Sequence, residues 1–195
     1  EAYRLGMRHF GENRVEEALT KLPAFKHAVT DASVTFHMIG HVQSRKAAEA
    51  AALFDRIHSI DSVKLAQRLD RFAAAGNKTL PILLEVNVSG EVSKYGFDSL
   101  AREGLLSAAQ TIGQLPNLKL DGLMTLAPIV SVADQARSIF RALREMRDEI
   151  ALNLKIDLPQ LSMGMTDDFE VAIEEGATVV RVGRAIFGDR LKAED

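Results

Sequence analysis

Three observations predict an α/β chain built on a parallel sheet and closed into a barrel. Short apolar, strand-like runs alternate strictly with amphipathic helical stretches along the chain. The strongest run, Leu83-Leu84-Glu85-Val86-Asn87-Val88, is apolar on one face (Leu84, Val86, Val88) and mixed on the other (Leu83, Glu85, Asn87). No Gly-x-Gly-x-x-Gly follows the first strand, which removes the usual signal of an open dinucleotide-binding sheet. An inner strand of an open doubly wound sheet has helices on both faces and should be apolar on both. A barrel strand turns one face to the helices and the other inward, where polar groups are tolerated near the C-terminal mouth. The predicted fold is therefore a (β/α)8 TIM barrel.

The elements follow in order. Glu1 to Met7 reads as the middle of a helix, with no cap before it. Strands are expected over Arg8 to Gly11, Val34 to Ile39, Arg56 to Ile60, Pro81 to Val88, Lys119 to Leu123, Gln160 to Met163 and Thr178 to Val182. Leu65, Ala66, Leu69, Phe72 and Ala73 form a helical stripe behind Asp61 as N-cap, and Gly76 marks the helix end. Val132, Ala136, Ile139, Phe140, Leu143, Met146 and Ile150 form a second stripe, opened by a box-like cap of Ser131 and Asp134. Seven βα units are one short of a barrel that closes with eight. With the chain opening mid-helix, the count places the first strand upstream of Glu1. No Pro/Gly/Ser-rich linker interrupts the pattern, so residues 1–195 are expected to form a single domain.

Composition narrows the function. The 195 residues are 47% hydrophobic and 26% charged, which is globular rather than disordered. A formal net charge of −3 argues against a nucleic-acid partner, which would call for a basic face. There is no cysteine, so disulfides, thiolate nucleophiles and thiolate zinc sites are excluded. The five histidines show no metal-ligand spacing with carboxylates. No apolar run approaches the roughly 18 to 20 residues of a membrane span, and the N-terminus lacks the basic-then-apolar pattern of a signal peptide. The reading is a soluble, cytoplasmic protein.

Two segments carry the chemistry. Leu161-Ser162-Met163-Gly164-Met165-Thr166-Asp167-Asp168 ends a strand and leads into a helix, so the Thr166 hydroxyl and nearby amides suit a phosphate. On this segment alone, Thr166 as a simple helix cap, with Asp167 and Asp168 complementing the dipole, is the favoured account. The next strand, Thr178 to Val182, holds Arg181 among apolar residues, and Gly183-Arg184 follows directly. A charge inside a strand needs a partner, since desolvating it unpaired costs several kcal/mol. Loops after the last two strands of such barrels frequently bind phosphate, so Thr166, Arg181, Gly183 and Arg184 converge on one site. An ion pair of Arg181 with Glu85 across the barrel is the competing account. Asn13, directly after the first strand, is either a ligand contact or a helix cap. His37 and His58 read as satisfied core or mouth residues.

The segments Phe10-Gly11-Glu12-Asn13-Arg14, His37-Met38-Ile39-Gly40-His41-Val42-Gln43, His58-Ser59-Ile60-Asp61, Glu85 to Glu91 with Lys94 and Gly96, Gly122-Leu123-Met124, Leu161 to Asp168 and Val180 to Gly188 together resemble the pyridoxal phosphate homeostasis proteins, the YggS/PROSC family. The resemblance runs from Glu1 to about Arg190. It implies a barrel similar to the N-terminal domain of alanine racemases, binding pyridoxal 5′-phosphate (PLP). It also implies that the cofactor phosphate lies near Thr166, Gly183 and Arg184, with Arg181 facing the pyridine nitrogen and Asn13, Ser162 and Met163 in segments lining the pocket. The family usually has Ser at the place of Thr166, which keeps the hydroxyl. Arg184 is often Thr or Ser in the family, so its backbone N–H carries over and its side chain does not.

The family lysine that forms the Schiff base lies at the end of the first strand, in a segment expected upstream of Glu1. Val92-Ser93-Lys94 imitates it but belongs to a later segment, so Lys94 is not read as that residue. The resemblance implies a PLP carrier or buffer without robust catalytic activity, with apo forms of PLP-dependent enzymes as partners and the chain as a monomer. An arginine at the ring nitrogen fits, because guanidinium only donates and the ring is then a weaker electron sink. The reading also expects no second domain after Arg190 of the kind that racemases use to complete their sites. The alternative is a weak amino-acid racemase or another PLP-dependent enzyme.

Overall fold

In the computed structural model, which describes residues 1–91 and 95–188, every strand pairing is parallel. The strands are β1 (His9–Glu12), β2 (Thr35–Met38), β3 (Arg56–Ile60), β4 (Leu80–Asn87), β5 (Phe97–Asp98), β6 (Leu118–Met124), β7 (Gln160–Met165) and β8 (Val179–Arg181). They run in the order β1-β2-β3-β4-β6-β7-β8, with β5 attached to β4 beside that path. The helices are α1 (Val15–Ala28), α2 (Ala47–Leu53), α3 (Val63–Ala75), α4 (Arg102–Gly113), α5 (Arg137–Leu154), α6 (Phe169–Glu174) and α7 (Arg184–Phe187). The sheet curls into a nearly closed barrel: His58 of β3 reaches Ser162 of β7 across the interior. Among the described residues β1 and β8 are its two unjoined ends.

The apolar core lies between the sheet and the helices. Ile57, Ile82, Leu84, Leu123, Leu161 and Met163 meet Leu65, Leu69, Ile112, Phe140 and Leu143 there, all nearly free of solvent. The α3 and α5 stripes that the periodicity predicts are buried at Leu65, Ala66, Leu69 and Ala73 and at Phe140, Leu143, Met146 and Ile150. Phe72 and Val132 fall outside them and remain exposed. Arg137, Arg141 and Arg144 of α5 converge on the buried Glu175 carboxylate at 3.3, 3.0 and 3.2 Å, which ties α5 to the end of α6. At Gly122 of β6 a Cβ would stand 1.9 Å from the Gln160 carbonyl oxygen, so only glycine lets β6 and β7 pair there. Among the described residues no helix is long and apolar enough to cross a membrane.

Several local expectations are corrected. Glu1 to Met7 forms turns rather than a helix, ending at Gly6 with φ +97°. The α3 cap is Ser62, whose Oγ accepts from the Leu65 N–H at 3.3 Å; Asp61 stands one residue too early. Before α5 the chain makes a short 3₁₀ turn over Ala133–Ala136, so Ser131 meets the Gln135 side chain and caps nothing. The two-residue β5 follows Gly96, whose φ of +110° turns the chain back onto β4. Lys94 and Arg190 lie outside the described residues.

Candidate functional site

Parallel strands bring all their C-terminal ends to one mouth, and β8 delivers Arg181 there. Its Nη1 donates to Ser162 Oγ at 2.7 Å and its Nη2 to the Thr125 carbonyl oxygen at 2.8 Å. The Thr125 hydroxyl in turn donates to the Val86 carbonyl at 2.7 Å, so one guanidinium links the ends of β8, β7, β6 and β4. Glu85 does not pair with Arg181 as the sequence left open; it acts on it through charge alone. Desolvation lowers the Arg181 pKa to about 10, against the pull of Glu85 and Asp168, so it stays cationic near neutrality. Glu85 is only 5% exposed. Desolvation, reinforced by Asp61 and opposed by Arg181, raises its pKa to about 7.

Beside Arg181, Thr166, Asp167, Arg184, Ala185 and Gly188 line an open cleft of about 480 Å³. Gly164, with φ +90°, lets β7 turn against Ala172 of α6 and carries Thr166 to the cleft. The Ala185 N–H donates to Thr166 Oγ1 at 3.4 Å, joining the loop after β7 to the start of α7. Gly183 is the N-cap of α7. The Arg184 guanidinium pairs with the Asp167 carboxylate across the cleft, so its side chain is engaged as well as its backbone. Asp168 is buried and accepts from the Met165 N–H at 2.6 Å, which closes the turn under the site.

The structure thus brings Ser162, Thr166, Arg181, Gly183 and Arg184 together at the ends of β7 and β8. Asn13 stands exposed at the same end of the barrel, beyond β1, where its backbone abuts Gly40. Met163 is set apart: alternation along β7 turns Ser162 inward and places Met163 in the apolar layer under the helices. Sequence reasoning missed Thr125, which carries no pattern of its own. It also missed the stacking of Tyr95 on the His41 ring at 3.7 Å, with Asp61 Oδ2 at 3.0 Å from His41 Nδ1. His37 and His58, read as core residues, are joined in a hydrogen-bonded row that ends at Ser162. A histidine at the inward position of successive parallel strands is the signal that would have found it.

A parallel barrel with an arginine and a hydroxyl-lined cleft at its last two strand ends defines a class. The family model for the alanine racemase N-terminal domain matches residues 1–191. Pyridoxal phosphate homeostasis proteins of Aquifex aeolicus and Pseudomonas aeruginosa are 42% and 44% identical over 190 residues, covering 97% of this chain and 80% and 78% of theirs. The structure of PipY from Synechococcus elongatus, solved with PLP bound, matches with a TM-score of 0.83 and 37% identity over 96% of this chain and 84% of that one. A Clostridium difficile alanine racemase matches at 10% identity with a TM-score of 0.76, over 98% of this chain and 48% of the enzyme, a likeness of fold alone. The chain belongs to the alanine racemase N-terminal domain family and, within it, to the pyridoxal phosphate homeostasis proteins.

Proposed function

We propose that this chain is a single-domain, cytoplasmic PLP-binding protein that holds the cofactor in reserve and passes it to apo enzymes, acting as a monomer. The observation that carries this reading is Arg181, a partly buried cation held by Ser162 and Thr125 beside the Thr166 cleft. The donor set fits the cofactor. A guanidinium has only donors to offer a ring nitrogen. The Thr166 hydroxyl, held by the Ala185 N–H at the start of α7, suits a phosphate. The PipY relative, solved with PLP bound, supports PLP as the ligand.

When bound, PLP supplies an electron-withdrawing ring and a reactive carbonyl. Arg181 keeps the ring nitrogen an acceptor, which weakens that withdrawal and suits storage over turnover. Ser162 and the Thr125 carbonyl fix the guanidinium, and Thr166 and Gly183 orient the phosphate. Arg184 engages Asp167, which offsets a carboxylate that would otherwise repel an anion at the cleft. Asn13 lies on the rim, and Met163 supports β7 from behind.

Titration with PLP, followed by protein fluorescence, tests the pocket. Arg181→Met and Thr166→Ala should each weaken retention at least about tenfold, the loss of one charge-assisted hydrogen bond. Unchanged affinity in both variants overturns the pocket. Incubation with PLP and a panel of L-amino acids tests the role. Turnover at an ordinary enzymatic rate, roughly 1 per second or faster, would overturn the carrier reading in favour of an amino-acid enzyme.

A further inference from the structure

Arg181 rests on two acceptors of different kinds. The Thr125 carbonyl can only accept, and the backbone holds it in place. The Ser162 hydroxyl, 2.7 Å from Nη1, carries a proton as well as lone pairs, and that proton turned toward the guanidinium would set O–H against N–H. Among the described residues Ser162 Oγ has one other hydrogen-bond partner, His58 Nδ1 at 2.9 Å. Behind His58 the barrel interior holds a row of imidazoles. His58 Nε2 lies 2.9 Å from His37 Nδ1, and His37 Nε2 lies 3.0 Å from Nδ1 of the exposed His9. His37 and His58 meet edge to face at 85°, so a nitrogen of one ring points at a nitrogen of the next rather than stacking on it.

Satisfying every group in this row leaves one arrangement. Arg181 accepts nothing, so the single Ser162 hydroxyl proton goes to His58 Nδ1. His58, 2% exposed, is neutral, because burial, reinforced by His37, Arg181 and Arg56, holds its pKa well below the ordinary imidazole value. A neutral ring has one proton, so that of His58 sits on Nε2 and points to His37 Nδ1. His37, 7% exposed, is neutral as well: burial, with His9 and Arg56 acting in the same direction, lowers its pKa to about 4. Its proton is therefore on Nε2 and points to His9 Nδ1. Every lone pair of the row faces Arg181, and every proton faces away from it. The row is static, and no proton enters or leaves it.

We propose that His58, backed by His37 and His9, is a positioning residue for the ligand site: by holding the Ser162 proton it makes that hydroxyl a pure acceptor and so fixes the Arg181 guanidinium. Hydrogen bonds aligned in one direction polarise one another, so Ser162 accepts more strongly than an isolated hydroxyl. The lone pairs aimed at Arg181 also offset part of the cost of taking a cation out of water. The histidines touch no ligand and act only through Ser162 and Arg181. PLP as the ligand rests on the function proposed above; the direction of the row does not.

Imidazole nitrogen resonances of the ligand-free full chain, carrying labelled histidine, decide that direction on the wild type, whether or not any variant folds. His37 and His58 should each show a pyridine-type Nδ1 and a pyrrole-type Nε2. A proton on Nδ1 of either ring overturns the proposal. Substitution tests the positioning. His58→Leu removes the acceptor and should weaken PLP retention about fivefold, the worth of one hydrogen bond. His58→Asn, whose Oδ1 can stand in for Nδ1, should recover most of that loss. The guanidinium N–H resonances of Arg181 should exchange with water faster in His58→Leu and return toward the wild-type rate in His58→Asn. Retention or exchange unchanged in His58→Leu, or His58→Asn no better than His58→Leu, overturns the positioning role. A wild type that does not bind PLP would overturn the cofactor reading alone, because the ligand-free tautomers and Arg181 exchange still decide the row.

Discussion

The two faces of this sheet are opposite in chemistry although they share every strand. Outward, Ile57, Leu84, Leu123 and Met163 sink into the helix layer with essentially no polar atom among them. Inward, the neighbours of Ile57, Leu84 and Met163 are His58, Glu85 and Ser162, which with Arg181 make a polar interior. Folding free energy comes chiefly from the first face, where apolar area leaves water at about 25 cal/mol per Å². The second face spends part of it on desolvated histidines and on Glu85, a buried carboxyl whose pKa is raised to about 7. The period of two thus separates stability from chemistry residue by residue.

Substitutions can break that contrast. The largest effect is expected for Phe140→Ala in the outer layer, which should cost about 3–5 kcal/mol in urea unfolding, and Met163→Ala about 2–5 kcal/mol. If Met163→Ala costs under about 1 kcal/mol, the two faces are not divided as described. Glu85→Gln should have a smaller effect, of opposite sign, that depends on pH. Folding raises the Glu85 pKa from 4.5 to about 7, so its stabilising contribution is complete below about pH 4.5 and is lost as pH rises through 7. The variant should therefore exceed the wild type by up to about 3 kcal/mol at pH 8 and match it near pH 5, read from urea midpoints. A flat difference between the two pH values would place Glu85 in water. His37 acts in the reverse direction: its folded pKa is depressed from 6.5 to about 4, so its contribution is present above 6.5 and is lost as pH falls toward 4. The smallest effect is expected outside both faces. Arg102→Ala, which removes an exposed ion pair with Glu149, should change stability by less than about 1 kcal/mol.

The strands were legible because apolar runs with turn residues between them are a local signal, and seven were found within a few residues. β5 was not, because two residues become a strand only by pairing with β4, which no local pattern announces. The Asp61 and Ser131 caps failed for a related reason: a cap depends on where the first helical turn closes, and a residue's type does not fix that. Arg181 stood out in the sequence because a charge in an apolar strand demands a partner. Its partners did not, since a Thr125 carbonyl and a Ser162 hydroxyl are defined by barrel register. Burial class was right for His37 and His58, but their connection needed the same register. Met163 shows the converse error, a residue placed in the pocket by its segment and removed from it by the alternation within that segment.

The uniformly parallel pairing also governs how fast the molecule can form. Among the described residues no hairpin is available to nucleate it: Met124 finds Ser162 only after the whole of α5 has been looped out, and His9 finds Thr35 only past α1. Loop closure must come before each reward, which puts such topologies on the slow side of single-domain folding. At Gly122 the penalty for a mistake is steric as well as entropic, since a side chain there meets the Gln160 carbonyl. A Gly122→Ala chain should therefore refold more slowly than the wild type if the β6–β7 contact belongs to the folding nucleus, and mainly unfold faster if it forms late.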